Sequence, residues 1–204
     1  MDNKKKFWDD LFAGGQIYRP LKDENLEAIL KQYADTTGLQ PKDVADIGAG
    51  TGDVAVALAK RGFNVTAFDI SSVALDLASV KAKEAGVGIY TQEADINAPD
   101  FGDAYQGAFD LIFLKIAIAF ASNKTDVVQC LCSMLRPKGA VVIITPILVP
   151  GGEYDERQKG ISVLRSDLED VLEKNFGKVK IISEQGEQTW PLVTYLCFVQ
   201  GLGF

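Results

Sequence analysis

The chain contains no histidine and only three cysteines in 204 residues. Histidine is the commonest general base and metal ligand near neutral pH, so its absence leaves Asp, Glu, Tyr or Lys for proton transfer. Cys130, Cys132 and Cys197 are too few for a four-cysteine zinc site, and an odd number does not indicate a set of disulfides. We therefore expect reduced, buried thiols and no metal site.

Long apolar runs and basic clusters are also missing. The longest apolar stretch, 111–121, is interrupted by Lys115, so we expect no transmembrane segment and no membrane partner. The basic residues at 4–6 precede Phe-Trp-Asp-Asp instead of an apolar core, which argues against a secretion signal and for a cytoplasmic location. A net charge of −7 without a basic cluster argues against nucleic acid as a partner.

What is present is an alternation of predicted strands and helices. Apolar runs predict strands, and helical patterns or loops separate them. The predicted strands are 44–48, 63–68, 87–91, 109–114, 139–146, 178–184 and 192–199. This alternation predicts a single domain of the α/β class, in which helices cover both faces of a mostly parallel sheet. Such sheets bind their ligands at the carboxyl ends of the strands.

The segment VADIGAGTG at 44–52 is the most informative part of the sequence. Its glycines lie at every second position, directly after an apolar strand and before a helical pattern. Glycine there adopts positive φ and lets backbone amides approach a ligand. The spacing is G-x-G-x-G, and Asp53 occupies the position where the dinucleotide-binding fingerprint has its last glycine.

Two acidic residues follow the next predicted strands. Asp69 ends the second strand, seventeen residues after Gly52, where a carboxylate can accept hydrogen bonds from both hydroxyls of a ribose. Asp95 follows the third strand, where it either accepts from the amino group of an adenine or caps the turn at Asn97. Together they predict a nucleoside-binding site at the carboxyl edge of the sheet.

The order of these motifs resembles that of the class I S-adenosylmethionine-dependent methyltransferases. D-x-G-x-G-x-G begins at Asp46, an acid ends strand two, Ala-Asp follows strand three, FDLI lies on strand four and LRPKG precedes strand five. The resemblance covers about residues 40–146. It implies S-adenosyl-L-methionine as cofactor and a Rossmann-like, doubly wound seven-stranded sheet of order 3-2-1-4-5-7-6 with strand seven antiparallel. The domain then comprises cap helices at 1–40, a cofactor-binding core at 41–146 and an acceptor-side region at 147–204.

The resemblance also implies roles for individual residues. The methionine part of the cofactor would lie against the glycine turn, and Ile70 and Ile96 would flank the adenine ring. Asp46 would bind the cofactor's amino group or a water, or would only cap the loop amides. The backbone at Leu114 and Lys115 would face the amino group, while the Lys115 side chain would either take part or extend past the strand end. The predicted cofactor contacts are Tyr18, Arg19, Asp46, Gly48, Ala49, Gly50, Gly52, Asp69, Ile70, Asp95, Ile96, Leu114 and Lys115.

The aromatic-rich segment at 7–20, FWDDLFAGGQIYRP, precedes the first strand. It is similar to the opening of small-molecule methyltransferases of the thiopurine and tellurite-resistance type, in which this segment folds over the cofactor. Tyr18 and Arg19 would then reach the cofactor's carboxylate, which suits an arginine. The alternative is an amphipathic helix packed on the edge of the sheet.

These observations predict methyl transfer to a small molecule by in-line displacement, in a monomer or homodimer. The acceptor region would include the long connection 147–165, with Tyr154, Asp155 and Trp190 as pocket candidates, and no catalytic base is identified. Lack of histidine favours an acceptor that is already nucleophilic, such as a thiolate, a selenolate or an amine. A nucleotide-dependent oxidoreductase, a cofactor-binding protein without catalysis, and a methyltransferase of protein or RNA are the alternatives.

Overall fold

A mixed β-sheet forms the centre of the fold. The computed structural model describes residues 2–16, 18, 20–187 and 190–199. The sheet order is β3-β2-β1-β4-β5-β8-β7, and the two-residue strand β6 pairs with the end of β5. The strands are β1 (Asp43–Ile47), β2 (Asn64–Asp69), β3 (Tyr90–Glu93), β4 (Phe109–Lys115), β5 (Leu135–Leu148), β6 (Val163–Leu164), β7 (Lys178–Glu187) and β8 (Trp190–Phe198).

The predicted topology is confirmed. When β6 is set aside, the seven remaining strands follow the expected order, and the last of them, β8, is antiparallel to both of its neighbours. The pairs among β3, β2, β1, β4 and β5 are all parallel. As a result, the carboxyl ends of β1, β2 and β4 meet at one edge of the sheet.

Helices cover both faces of the sheet and bury two apolar clusters against it. One cluster lies under α2, α3 and α4, and the other lies under α5 and α7. The helices are α1 (Asp2–Ala13), α2 (Asp23–Thr37), α3 (Asp53–Ala59), α4 (Ser72–Glu84), α5 (Lys124–Met134), α6 (Glu156–Ile161) and α7 (Arg165–Asn175). In the described part of the chain, no helix combines the length and the hydropathy needed to cross a bilayer.

The starts of two strands differ from the prediction by three residues or more. β5 begins at Leu135 instead of residue 139, because Leu135 pairs with Phe109 before the register shifts at a bulge that contains Lys138 at φ 68°. β3 begins at Tyr90 instead of residue 87 and is exposed along its length, since it forms the edge of the sheet. Hydrophobic periodicity gives little information on an exposed edge strand, which explains the second difference.

The long connection 147–165 contains ordered structure. It includes α6 and β6, and Asp155 begins α6 with a capping box in which its side chain accepts from the amide of Gln158. The other half of the box is the amide of Asp155, which donates to the side chain of Gln158. This short helix therefore has a sequence-encoded start that the hydrophobic pattern alone did not reveal.

Candidate functional site

A cavity of about 300 Å³ opens at the carboxyl ends of β1, β2 and β4. Its floor is formed by the turn after β1 and by the segments that follow β2, β3 and β4. Its outer wall is formed by one face of α1. The residues that line it are Lys4, Phe7, Trp8, Phe12, Tyr18, Asp46, Gly48, Ala49, Gly50, Thr51, Asp53, Val54, Asp69, Ile70, Ala94, Asp95, Ile96, Asn97, Lys115, Ile116, Ala117 and Phe120.

The glycine turn is shaped by packing as much as by ligand access. Gly48 has φ 68°, and a Cβ built on it would lie 2.6 Å from the Cβ of Ala117. Gly52 has φ 77°, and its Cβ would lie 2.6 Å from the Cβ of Ala78. These glycines are therefore needed where other segments of the protein approach the turn. Gly50 differs, because a Cβ there would face the ring of Phe12 across the cavity at 3.4 Å.

Asp69 joins the two turns that form the cavity floor. Its Oδ2 accepts from the amide of Gly50 at 2.8 Å, and its Oδ1 accepts from the amide of Ser71 at 2.9 Å. The residue is 7% exposed, and burial raises the pKa of its carboxyl although these amides act in the opposite direction. A carboxylate has about four lone-pair positions, so Asp69 retains acceptor capacity toward the cavity.

Asp46 and Lys115 form a second polar region of the cavity. Asp46 is 1% exposed, and its Oδ2 accepts from the amide of Ala55 in the first turn of α3 at 3.0 Å. Burial raises the pKa of Asp46 to about 7, while Lys115 acts to lower it. Burial also lowers the pKa of the Lys115 ammonium. Asp46 thus caps a helix amide and lines the cavity as well.

The segment after β3 contributes an acid and an apolar wall. The Oδ1 of Asp95 accepts from both the backbone amide and the side-chain amide of Asn97, at 2.9 and 3.0 Å. Asp95 therefore caps this turn, and it lines the cavity together with Ile70 and Ile96. Asn97 also accepts from the amide of Ser122, so this turn is tied to the segment that follows β4.

The N-terminal helix α1 places aromatic side chains over the cavity. Phe7, Trp8 and Phe12 line it, and Trp8 packs edge-on against Phe120 with ring centroids 4.8 Å apart. Residues 2–13 thus form an amphipathic helix whose apolar face borders the site instead of packing solely on the edge of the sheet.

Polar contacts dock α1 onto the start of α4. Asp9 accepts from the hydroxyl of Ser71 at 2.6 Å, and Lys5 donates to Ser72 at 2.9 Å and to Glu93 at 3.1 Å. The Ser71 hydroxyl in turn accepts from the amide of Ala74 as the N-cap of α4. Because the Ser71 amide also donates to Asp69, α1 is linked through one residue to the acid of the cavity floor.

Leu114 and Gly52 are not among the residues that line the cavity, and the predicted role of the Leu114 backbone stays a prediction. Leu114 is fully buried in the core under α5, and Gly52 packs against α4. Tyr18 does line the cavity, where burial raises the pKa of its phenol and Arg157 acts to lower it. Arg19 lies outside the described residues.

The candidates of the acceptor region also lie away from the cavity lining. The hydroxyl of Tyr154 bonds with the backbone of Val149, and Asp155 caps α6. Trp190 donates to Ser162 at 2.8 Å. These three side chains stabilise their own loop and strand ends in the described part of the chain.

Ile116 and Phe120 are among the lining residues that were missed, because the sequence gives no signal for them. Ile116 has φ 69°, an unusual conformation for a β-branched residue, and its amide donates to the carbonyl of Ile144 at 2.7 Å. This strained turn directs the chain back beneath the cavity, so that Phe120 reaches Trp8. Strain of this kind is common at functional sites.

A family model described as a methyltransferase domain matches residues 44–139. Ubiquinone biosynthesis O-methyltransferase of Shewanella pealeana is 31% identical over 131 residues, which are 63% of this chain and 53% of that protein. The tRNA 5-carboxymethoxyuridine methyltransferase of Escherichia coli K12 is 31% identical over 132 residues, 63% of this chain and 51% of that protein. Residues 44–139 thus match a methyltransferase domain, and these likenesses support a class I S-adenosylmethionine-dependent methyltransferase. The chain spans about half the length of these curated relatives.

The solved methyltransferase-like structures agree on the fold. TehB from Haemophilus influenzae superposes with a TM-score of 0.68 at 15% identity, covering 95% of this chain and 67% of that one. At this identity the likeness supports the fold alone. The cofactor of the family is S-adenosylmethionine, and the cavity suits it chemically. Asp69 offers acceptor lone pairs for ribose hydroxyls, Ile70 and Ile96 offer apolar surface for a base, and Asp46 and Lys115 offer charges for an amino acid.

Proposed function

We propose that this protein transfers a methyl group from S-adenosylmethionine to a small-molecule acceptor bound beneath α1. The observation that carries the proposal is the cavity itself, which places Asp69, Asp46 and the aromatic face of α1 around one space. The bound cofactor supplies a methyl group on a sulfonium, whose leaving group is a neutral thioether. No metal is required to activate such a group, so the protein's task is positioning and exclusion of water.

Different residues of the cavity would position the cofactor and exclude water. Asp69 would accept from the ribose hydroxyls and fix the nucleoside against the turn at Gly50. Trp8, Phe12 and Phe120 would exclude water from the reacting atoms and provide π-faces that favour a cationic ligand. Alignment of two reactants within such a cavity can lower a barrier by about 7–11 kcal/mol in favourable cases.

The size of the cavity and the net charge of the chain support a small acceptor. The cavity measures about 300 Å³, and α1 forms one of its walls. The chain carries a net charge of −7, which disfavours binding of an RNA backbone. The ubiquinone-pathway relative supports a small acceptor, whereas the tRNA methyltransferase relative supports RNA as the second candidate.

A release assay separates the two candidates. Purified protein would be incubated with S-adenosylmethionine and either a panel of thiols, phenols, amines and carboxylates or unfractionated tRNA, and S-adenosylhomocysteine would be measured by mass spectrometry. Asp69→Asn provides the matched control for cofactor-dependent release. Turnover with a panel member supports the proposal. Turnover with tRNA alone contradicts it, and binding of cofactor without any turnover indicates a non-catalytic protein.

A further inference from the structure

Among the described residues that line the cavity, the cations are Lys4 and Lys115; Lys4 is exposed to solvent, whereas Lys115 is half-buried. Its side chain lines the cavity at the end of β4, and its ammonium makes no hydrogen bond or ion pair with any described residue. Lys81, by contrast, lies 2.6 Å from Asp53, and Lys5 pairs with Glu93 and Asp9. A half-buried ammonium without a partner is costly, so this arrangement suggests that a ligand completes it.

The position of Lys115 is fixed by its neighbours. Asp46 pairs in register with Phe113 on the adjacent strand, so Lys115, two residues further on, lies on the same face of the sheet as Asp46. The strained residue Ile116 follows immediately, with its amide bound to Ile144. This backbone geometry sets the direction in which Lys115 leaves the strand.

Lys115 and Asp46 interact electrostatically without forming an ion pair within 4 Å. One oxygen of Asp46 accepts the hydrogen bond that caps α3. Asp53, the other acid that interacts electrostatically with Lys115, forms an ion pair with Lys81. The cavity therefore presents a positive and a negative group that face the same space and do not neutralise each other by contact. A zwitterion, with one carboxylate and one ammonium, complements such a pair.

S-Adenosylmethionine carries two cationic groups, the sulfonium and the ammonium, and one anionic group, the carboxylate of its methionine part. The cations would be repelled by Lys115, which leaves the carboxylate as its complement. We propose that Lys115 binds this carboxylate and makes the site selective for nucleosides that carry it. This inference rests on the proposed use of the cofactor and deepens it by naming a specificity-determining residue.

Calorimetric titration of the full chain tests the assignment with nucleosides that differ in one group. S-Adenosylhomocysteine carries the whole amino acid, 5′-methylthioadenosine lacks it, and decarboxylated S-adenosylmethionine lacks the carboxylate alone. Lys115→Met removes the charge at similar length, and Lys115→Arg retains it. Lys60→Met is the matched control, because Lys60 is exposed at the far end of α3 and does not line the cavity. Circular dichroism establishes that each variant is folded.

Lys115→Met is expected to lower the affinity for S-adenosylhomocysteine by about tenfold to hundredfold, as for loss of one charge-assisted hydrogen bond. Its affinity for 5′-methylthioadenosine stays within about twofold of that of the unchanged protein, as does every affinity of Lys60→Met. The preference for S-adenosylmethionine over its decarboxylated form disappears in Lys115→Met and persists in Lys115→Arg.

Three results would overturn the assignment. Unchanged affinity for S-adenosylhomocysteine in Lys115→Met removes the carboxylate contact. An equal loss for S-adenosylhomocysteine and 5′-methylthioadenosine places Lys115 elsewhere on the nucleoside or in the fold. Normal cofactor affinity with lost methyl transfer assigns Lys115 to the acceptor. Failure of the unchanged protein to bind any of these nucleosides is a separate result, which overturns the proposed function itself.

Discussion

Replacing Gly48 by alanine tests whether the turn after β1 is glycine-rich because protein segments pack against it. The new Cβ would lie 2.6 Å from the Cβ of Ala117, far inside an ordinary contact, and the backbone would keep a φ of 68°. The left-handed conformation costs a non-glycine residue about 1–2 kcal/mol. Overpacking in a filled site costs about 1–3 kcal/mol more. Gly48→Ala is therefore expected to lower the free energy of unfolding by about 2–5 kcal/mol.

Gly62 provides the matched control. It has φ 87°, and a Cβ there would meet no atom within 4 Å. Gly62→Ala should therefore show the conformational cost alone, about 1–2 kcal/mol. The difference between the two variants isolates the contact with Ala117.

A compensating substitution sharpens the test. In Gly48→Ala/Ala117→Gly the new Cβ would meet the Cα of residue 117 at 3.7 Å, which is an ordinary contact. The double variant should be more stable than the sum of its single effects predicts, by about 1–3 kcal/mol. Urea denaturation followed by circular dichroism measures the free energy of unfolding of Gly48→Ala, Ala117→Gly, the double variant and Gly62→Ala. Equal losses in Gly48→Ala and Gly62→Ala, or strict additivity in the double variant, would refute the packing argument.

Three further predictions concern the site. Asp69→Asn should lower affinity for S-adenosylhomocysteine and 5′-methylthioadenosine alike, by about tenfold or more in calorimetry, since both contain the ribose; an affinity loss confined to the first ligand would contradict the ribose role. The pKa of Asp46 is raised to about 7, so the folded state binds the extra proton between about pH 4 and pH 7, and stability falls as pH rises through that range. Asp46→Asn should flatten this slope in urea titrations at several pH values, and an unaltered slope would exclude Asp46 as its source. Asp9→Asn weakens the hydrogen bond to Ser71 and should raise the dissociation rate of S-adenosylhomocysteine in stopped-flow measurements by about threefold to tenfold. Deletion of residues 1–20 should weaken the binding of S-adenosylhomocysteine at least about tenfold. An unchanged dissociation rate in the first variant and an unchanged affinity in the second would show that α1 does not cover the bound cofactor.

Apolar runs were sufficient to predict the strands of the sheet, because strands buried on both faces are apolar along most of their length. β4 illustrates this, since five of its seven residues are buried. The edge strand β3 and the short helix α6 left weaker signals, and their bounds depend on hydrogen bonding and on a capping box. The strand order came from the resemblance in motifs and not from periodicity, which carries no information on the order of strands.

The sequence predicted those site residues whose role follows from their position at the end of a strand. Asp69 lies where an acid at the end of a strand was expected, and Gly50 borders the cavity. Local sequence could not show that Gly48 and Gly52 make room for Ala117 and Ala78, since these pairs are distant in the chain. The strained turn at Ile116 was also hidden, because tertiary packing and not sequence propensity maintains it.

Binding of S-adenosylhomocysteine to the full chain is the most direct test of the central claim, which is that the cavity at the ends of β1, β2 and β4 is a cofactor site. Calorimetry should show one ligand bound per chain with a dissociation constant of about 1–100 μM, corresponding to about 5.5–8 kcal/mol. Asp69→Asn should weaken this binding. Absence of both heat and thermal stabilisation at millimolar ligand would contradict the account.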